Sequence, residues 1–331
     1  MNDSLRFGSL RGIRVGMHWS VLLIAWLLAW GLATQLLPSA APGATSIAYW
    51  AAGIAVAVLF FSSLLAHELA HAFFARRAGI EVEGITLWLL GGVAKLSGEA
   101  PTPGHELRIA ASGPITSGLL GLAWWGVAVA IGLLGLPALL AESAAWLARV
   151  NIILAIFNLL PGAPLDGGRI AKAIAWQFGR DRLRASLLAT RLGRVLGFGL
   201  IGFGILELVA GANLGGLWTI VIGLFLTGAA AAEREQAVVQ EVLVGARIRD
   251  VMAPDPIRVP AGITVDVFAE GVLIAQRQTA ALVVEAGGMP FGIAGLSEVG
   301  RLRGRARAEA RVRDIAVPHQ TVPVVAPDDD L

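Results

Sequence analysis

The sequence predicts an all-α polytopic membrane protein with about six transmembrane helices, followed by a small α+β cytoplasmic domain. Three observations lead to this prediction. Of the 331 residues, 56% are hydrophobic and only 15% are charged, and the mean hydropathy is +0.71. Because soluble domains carry about 25% charged residues, long stretches of this chain have no polar face to present to water. A normal density of charge returns only after Ala232.

Six apolar stretches are the predicted membrane spans, since a helix needs about 20 apolar residues to cross about 30 Å of hydrocarbon. The fourth and fifth stretches are short, and the sequence leaves open whether they are tilted or are interrupted by proline and glycine. The predicted spans run from Trp19 to Leu37, Ile47 to Ala75, Ile109 to Leu133, Trp146 to Leu160, Leu196 to Ala210 and Leu214 to Ala231.

Basic residues predict the orientation of these spans. They cluster before the first span, between the second and third, and between the fourth and fifth, whereas the other loops contain only Arg149. By the positive-inside rule both termini are cytoplasmic, and we expect a multi-pass protein of the plasma membrane. A cleaved signal peptide is the competing interpretation of residues 1–41, although their apolar stretch is longer than a usual signal-peptide core.

Composition divides the chain into three parts. Residues 1–232 form the predicted transmembrane domain, residues 233–247 a linker, and residues 248–331 the cytoplasmic domain. In the last part we expect strands at 257–259, 281–285 and 291–294 and a helix at 265–276.

Charge and cysteine content exclude several kinds of site. The chain has 26 Lys and Arg against 24 Asp and Glu, so we expect no nucleic-acid partner. It has no cysteine, which excludes disulfides and thiolate metal ligands. A bound metal therefore uses His, Asp or Glu.

The second predicted span contains the sequence His67-Glu68-Leu69-Ala70-His71. A spacing of four residues places both imidazoles on one helical face, where they can bind one zinc ion, and the adjacent Glu68 can act as a base. Ionisable groups inside a span are costly and usually functional. The alternative is a polar cluster that only packs helices.

Catalytic zinc usually has three protein ligands, so a third must come from elsewhere. The best candidate is Asp166, which follows the fourth span between helix-breaking prolines and two glycines. A carboxylate at or near membrane depth needs a partner. The alternative is that Asp166 only caps the helix that follows it.

Together these motifs resemble the two signatures of the site-2 protease family of intramembrane zinc metallopeptidases, over about residues 12–231. The resemblance implies that His67, His71 and Asp166 bind one Zn²⁺ and that Glu68 is the general base. It also implies that Asn158 holds the scissile peptide or its oxyanion. The residues that carry it are His67, Glu68 and His71 in one span and Asn158, Pro161, Leu165, Asp166 and Gly167 after another.

The resemblance also leads to expectations for two further segments. The family has an amide residue after the Gly-Pro that begins the third span, whereas this chain has Ser117, which puts an amide role there in doubt. Residues 85–97 correspond to a membrane-associated β-hairpin that can offer an extended edge to an unwound substrate. The alternative for the hairpin is a plain interfacial loop.

Residues 248–300 resemble one CBS motif, and a second begins at Val312 and breaks off near the end of the given sequence. Paired CBS motifs often bind an adenine nucleotide through Thr and Asp, where this chain has Gly295 and Glu298. Both differences weaken the expectation of a nucleotide. In the membrane part, Gly193-x-x-x-Gly197 permits close helix approach, either for internal packing or for a homodimer.

The sequence thus predicts an intramembrane zinc metalloprotease that hydrolyses a peptide bond in or near the transmembrane segment of a membrane protein. Release of a cytoplasmic regulator, as in regulated intramembrane proteolysis, is the expected consequence. A zinc-binding transport or sensing protein without peptidase activity is the main alternative, and a catalytically silent scaffold is the other. Glu68 argues against a transport or sensing protein, because transport needs no general base. The complete set of zinc ligands argues against a catalytically silent scaffold.

Overall fold

The computed structural model describes residues 5–10, 12–88, 91–96, 98–179, 181–211, 215–243 and 246–329. The chain divides into two compact units, Met1–Val239 and Gln240–Leu331.

Six helical segments of the first unit are long and apolar enough to cross a membrane, which confirms the predicted multi-pass helical fold. The first is α1 (Ser20–Gly31), which continues through a π-helical turn at Leu32–Leu36 into α2 (Leu37–Ala40). The others are α3 (Ser46–Arg77), α4 (Pro103–Leu133), α5 (Ala138–Asn158), α7 (Arg182–Val209) and α8 (Gly215–Leu243).

The fourth and fifth spans are longer than the sequence suggested, at 21 and 28 residues. Helix α7 begins at a strong N-cap, since the Asp181 side chain accepts a hydrogen bond from the Arg184 backbone N–H. Its glycines do not interrupt it, because Gly197 and Gly204 lie against the α8 backbone, where a side chain would not fit. Proline and glycine therefore leave both spans intact.

The segment predicted as a linker begins as helix. Residues 233–243 continue α8, and the boundary between the two compact units, after Val239, falls within the predicted linker. The physical reason is that the Glu and Arg residues beyond Ala232 are good helix formers, so the rise in charge marks a more polar stretch of the same helix.

A four-stranded sheet accompanies the helices in the order β1-β2-β3-β4, with β2 parallel to β3 and the other pairs antiparallel. The predicted hairpin is confirmed as β3 (Val82–Trp88) and β4 (Gly91–Leu96), although residues 89, 90 and 97 lie outside the described residues. Strands β1 (Leu5–Leu10) and β2 (Ile13–Met17) were not expected from the sequence. Strand β4 lies at one edge of the sheet.

The sheet packs on the C-terminal half of α3. Ala72 and Ala75 of this helix are fully buried against Val82 and Ile85 of β3 and Ile109 of α4. Small side chains on α3 let the sheet and α4 approach it closely. The histidine motif of α3 is therefore enclosed by α4 on one side and by the β3–β4 hairpin on another.

Helix α6 (Asp166–Gly179) is the one helix of at least eight residues, within the described part of the first unit, that is not a candidate span. It has a buried face that includes Gly167, Gly168 and Ala173 and an exposed face that includes Phe178. Its packing on α4 and α7 helps to set its position.

The second unit is a small α+β module, as predicted. Its sheet has the order β5-β6-β7-β8, with β5 and β6 parallel, and its core surrounds Phe268 and Val283. The expected helix begins as α10 and continues through a π-helical segment at Ala269–Ile274. The elements are α9 (Ile248–Val251), β5 (Arg258–Pro260), α10 (Val265–Phe268), β6 (Ala280–Val284), β7 (Pro290–Gly295), α11 (Leu296–Val299), α12 (Arg305–Glu309), α13 (Val312–Ile315) and β8 (Val317–Pro318).

Candidate metal centre

Helix α3 places His67 and His71 one turn apart on a buried face, where their side chains meet. The two residues are 3% and 7% exposed. Their Nε2 atoms lie 3.1 Å apart, and their ring planes are nearly perpendicular. The helical spacing predicted from the sequence thus brings two potential ligand atoms to one point.

Asp166 completes this cluster from the start of α6. Its Oδ2 atom lies 3.1 Å from His67 Nε2 and 3.2 Å from His71 Nε2. The first α6 amides, those of Gly168 and Arg169, donate to the Leu165 carbonyl instead of to the Asp166 carboxylate. The carboxylate is therefore directed at the two imidazoles, which favours the ligand interpretation over a simple helix cap.

The three side chains fit one zinc ion by chemistry and by spacing. His71 Nδ1 lies 2.7 Å from the Ile109 carbonyl, which can only accept, so Nδ1 carries a hydrogen and Nε2 is the nitrogen left for the cluster. That nitrogen faces a carboxylate oxygen, and either a metal ion or a proton on Nε2 would make this close approach favourable. Zinc ligands bonded at about 2.0–2.1 Å in tetrahedral geometry lie about 3.3 Å apart, close to the spacing seen.

Helix α4 orients both imidazoles through their second nitrogens. Ser117 Oγ lies 2.9 Å from His67 Nδ1, as the Ile109 carbonyl lies beside His71 Nδ1. These bonds leave both Nε2 atoms facing the cluster and fix the ring orientations. From the sequence, Ser117 was notable only because it replaces the amide residue usual in the family. The structure shows that its hydroxyl contacts His67 Nδ1.

Gly113 allows α4 to lie directly beside the cluster. A Cβ atom at this position would overlap the Nε2 atoms of both His67 and His71. In this chain, the glycine of the Gly113-Pro114 pair is therefore needed because any side chain would collide with the two histidines.

Glu68 lies between the histidines and the edge strand of the sheet. A Cβ atom at Gly92 of β4 would overlap Glu68 Cγ and Cδ, so the strand backbone passes immediately beside this carboxylate. Glu68 also interacts electrostatically with His67, His71 and Asp166. The proposed base is thus adjacent both to the three-residue cluster and to the strand predicted to receive substrate.

Asn158 is the predicted site residue that the structure does not join to the cluster. It is the last residue of α5, and its side-chain amide donates to the Leu154 carbonyl at 3.0 Å. Among the described residues it makes no hydrogen bond with His67, His71 or Asp166. Its role toward an oxyanion remains a prediction.

Helix α7 supports the loop that delivers Asp166. The Ala163 N–H donates to the Ala189 carbonyl of α7, and a Cβ atom at Gly193 would overlap the Ala163 carbonyl. Gly197, one turn further along, packs against α8. Both glycines of the G-x-x-x-G pattern therefore make internal contacts, one of the two uses that the sequence left open.

Replacing Ser117 by alanine is expected to weaken zinc binding by about tenfold, because His67 Nδ1 loses the partner that fixes its ring. Competition with a chromophoric chelator measures this. Ser143→Ala is the matched control, since the Ser143 hydroxyl bonds only the Leu139 carbonyl of its own helix. Equal zinc affinity in both variants would show that Ser117 does not orient His67.

A helical membrane unit with a buried His-His-Asp cluster, an adjacent glutamate and a neighbouring edge strand defines the class of intramembrane zinc metallopeptidases. This chain belongs to peptidase family M50, the site-2 protease family, whose model matches residues 55–138 and 137–200. Rip3 of Mycobacterium tuberculosis, named as a zinc metalloprotease, is 42% identical over all 331 residues, which correspond to 84% of its length.

Two further relatives carry zinc metalloprotease names. One from Synechocystis is 35% identical over 276 residues, which are 83% of this chain and 71% of that protein. One from Methanocaldococcus jannaschii is 29% identical over 276 residues, which are 82% of this chain and 73% of that protein. The solved site-2 protease from Methanocaldococcus jannaschii superposes with a TM-score of 0.48 at 28% identity, over 70% of this chain and 94% of that one.

Proposed function

We propose that this intramembrane zinc metalloprotease cuts a peptide bond in or next to the transmembrane segment of another membrane protein and releases its cytoplasmic part. The observation that carries the proposal is the position of β4. This edge strand passes beside Glu68, which adjoins the His67, His71 and Asp166 side chains.

A transmembrane substrate helix hides its peptide bonds in its own hydrogen bonds, so it must unwind locally before hydrolysis. An unwound segment then needs new partners for its N–H and C=O groups. Strand β4 pairs with β3 on one side and, among the described residues, has no strand on its other side. A substrate strand added there lies one strand spacing, about 4.8 Å, from the backbone that passes Glu68.

Each residue of the site has its own role in the proposed hydrolysis. His67, His71 and Asp166 would hold the zinc ion, and the Ile109 carbonyl and Ser117 hydroxyl would keep both imidazoles aimed at it. Bound zinc would supply a Lewis acid that polarises the carbonyl and activates water near neutral pH. Glu68 accepts the water proton and returns it to the departing amine. The Asn158 side-chain amide has two N–H donors, of which one bonds the Leu154 carbonyl and the other would donate to the oxyanion.

The distribution of basic residues supports cytoplasmic termini and residence in the plasma membrane. Arg76 and Arg77 end α3, so the metal site lies toward the cytoplasmic end of this span. The chain contains no cysteine, which makes it suited to labelling of single introduced cysteines. We expect an impermeant reagent to label a cysteine at Arg77 only from the cytoplasmic side and one at Leu134 only from the other.

The function is tested in liposomes that contain the full chain and a synthetic single-span protein with a cytoplasmic fluorescent domain. We expect cleavage at a bond in or beside the span when the span contains Gly and Pro, and slower cleavage of a matched polyleucine span, which resists unwinding. Cleavage confined to the soluble domain would contradict the proposal. Accumulation of zinc inside the liposomes without any cleavage would support the transport alternative.

The second unit supports a CBS-type repeat through two matching capping contacts. Asp250 accepts a hydrogen bond from the Arg247 N–H at the start of α9, and Asp314 accepts from the Arg311 N–H at the start of α13. Nucleotide binding has less support. The Glu298 carboxylate accepts from the Gly295 N–H, which lowers the pKa of Glu298 together with the nearby Ser297 hydroxyl, so this carboxylate is already occupied within the unit.

A further inference from the structure

A partly buried ion pair connects the helix that carries Asp166 to the helix that orients the histidines. Arg169 Nε of α6 lies 2.9 Å from Glu106 Oε1 in the first turn of α4. Glu106 is only 4% exposed. A carboxylate this deeply buried is costly unless it is paired, so the two side chains hold each other firmly in place.

The positions of the two residues relate the pair directly to the metal site. Arg169 lies three residues after Asp166, and Glu106 lies three residues before Ile109, whose carbonyl holds His71. Each partner is thus about one helical turn from a group that contacts the cluster. A shift between the two helices at this pair would move the Asp166 carboxylate relative to the imidazoles.

Further charges surround the pair. Lys172 of α6 attracts Glu106, and Glu233 of α8 attracts Arg169 while it repels Glu106, so two acids and two bases lie together. Burial alone would lower the pKa of Arg169, but the Glu106 carboxylate raises it above its usual value. The guanidinium therefore stays charged and the pair stays intact.

The Glu106–Arg169 pair is one of the contacts that fix the position of helix α6. The helix has only 14 residues and is not a candidate span, so it is not fixed by crossing the bilayer as the longer helices are. Its N-terminal loop rests on α7 through Ala163 and Gly193. On the other side, Glu106 ties it to α4, the same helix that holds His67 and His71 through Ser117 and Ile109.

We propose that Glu106 and Arg169 are positioning residues of the zinc site, which hold Asp166 at ligand distance from His67 and His71 and thereby set the affinity for zinc. This inference rests on the zinc assignment of the proposed function. Among the described residues, neither side chain forms an ion pair or a hydrogen bond with the cluster, so both act through helix placement, to which Arg169 adds an electrostatic attraction to Asp166.

The test uses the detergent-solubilised full chain and the variants Glu106→Gln, Arg169→Gln and the double replacement. Three quantities are measured: the zinc dissociation constant by chelator competition, the visible spectrum of the Co²⁺-substituted protein, and the thermal unfolding of the zinc-free protein. Glu142→Gln is the control, because Glu142 belongs to an exposed pair with Arg149 on α5.

Each single replacement is expected to raise the zinc dissociation constant by about tenfold to a hundredfold, as for other groups that support metal ligands, and to change the Co²⁺ spectrum. The double replacement is expected to cost less than the product of the two, because it leaves no unpaired buried charge. Glu106→Asp keeps the carboxylate charge but shortens the side chain, so we expect it to lose less zinc affinity than Glu106→Gln. This variant keeps the test decisive if the Gln variants do not fold.

Unchanged zinc affinity and an unchanged Co²⁺ spectrum in the folded single variants would overturn the proposal, even if thermal stability fell, because the pair would then be merely structural. The assignment of the zinc ligands is tested separately. If Asp166→Ala retains zinc, the assigned ligand set is wrong, whereas if Asp166→Ala loses zinc and Glu106→Gln does not, only the positioning role is wrong.

Discussion

Replacing Glu68 by glutamine is expected to abolish detectable peptide cleavage while zinc remains bound. The substitution keeps the size of the side chain beside Gly92 but removes its capacity to accept a proton. General acid–base catalysis contributes about 10²- to 10⁴-fold to a rate, so cleavage should fall by at least about a hundredfold. Because Glu68 is not among the three clustered ligands, the zinc content should stay unchanged.

The measurement compares cleavage of the single-span substrate by wild type and by Glu68→Gln, with zinc determined on the same samples. Glu142→Gln, at an exposed position, serves as the matched control and should retain full activity. Cleavage that persists in zinc-loaded Glu68→Gln would refute the assignment of the base. It would also remove the main argument against a transport or sensing protein.

Asp166→Ala is expected to lose zinc, with a dissociation constant raised by more than about a hundredfold, and to lose cleavage with it. The carboxylate is the third of three donors and lies 3.1 Å and 3.2 Å from the two Nε2 atoms. In the zinc-free protein, hydrogen bonds to His67 and His71 outweigh burial and lower the pKa of Asp166, so the side chain is a carboxylate at neutral pH. Removing it leaves two imidazoles, which bind zinc weakly.

Asp181→Ala is the matched control for this prediction, because Asp181 lies just beyond α6 and its carboxylate caps α7 and pairs with Arg184. We expect this variant to lose about 1 kcal/mol of stability through the missing cap and to keep its zinc. Full zinc content in Asp166→Ala would mean that the third ligand is another residue.

The sequence was sufficient to predict that His67, His71 and Asp166 come together, because most of their signal is local. The i and i+4 spacing of His67 and His71 fixes a shared helical face, and an aspartate between helix breakers at membrane depth needs a partner. The six spans follow equally directly from the length of the apolar stretches.

Features that depend on contacts distant in the sequence could not be predicted in this way. Strands β1 and β2 form a sheet only because β2 pairs with β3, some 70 residues later. The bond between Ser117 and His67 joins residues 50 positions apart, and no periodicity reveals it. The sequence indicated a helix after Asp166, but the packing of α6 on α4 and α7 could not be predicted from its few apolar residues.

The stretch after Ala232 shows that a change in composition need not coincide with the end of a helix. A rise in charge was interpreted as the start of a linker, yet helix propensity carries α8 on to Leu243. Composition distinguishes a lipid-exposed stretch from a solvated one, whereas it does not mark the end of a helix.

X-ray absorption at the zinc edge, on the purified full chain, tests the central claim most directly. The account predicts one zinc ion with two imidazole nitrogens and oxygen ligands at about 2.0–2.2 Å, and loss of an oxygen ligand or of the metal in Asp166→Ala. A coordination shell with one imidazole or none would contradict it, because the zinc would then lie away from His67 and His71.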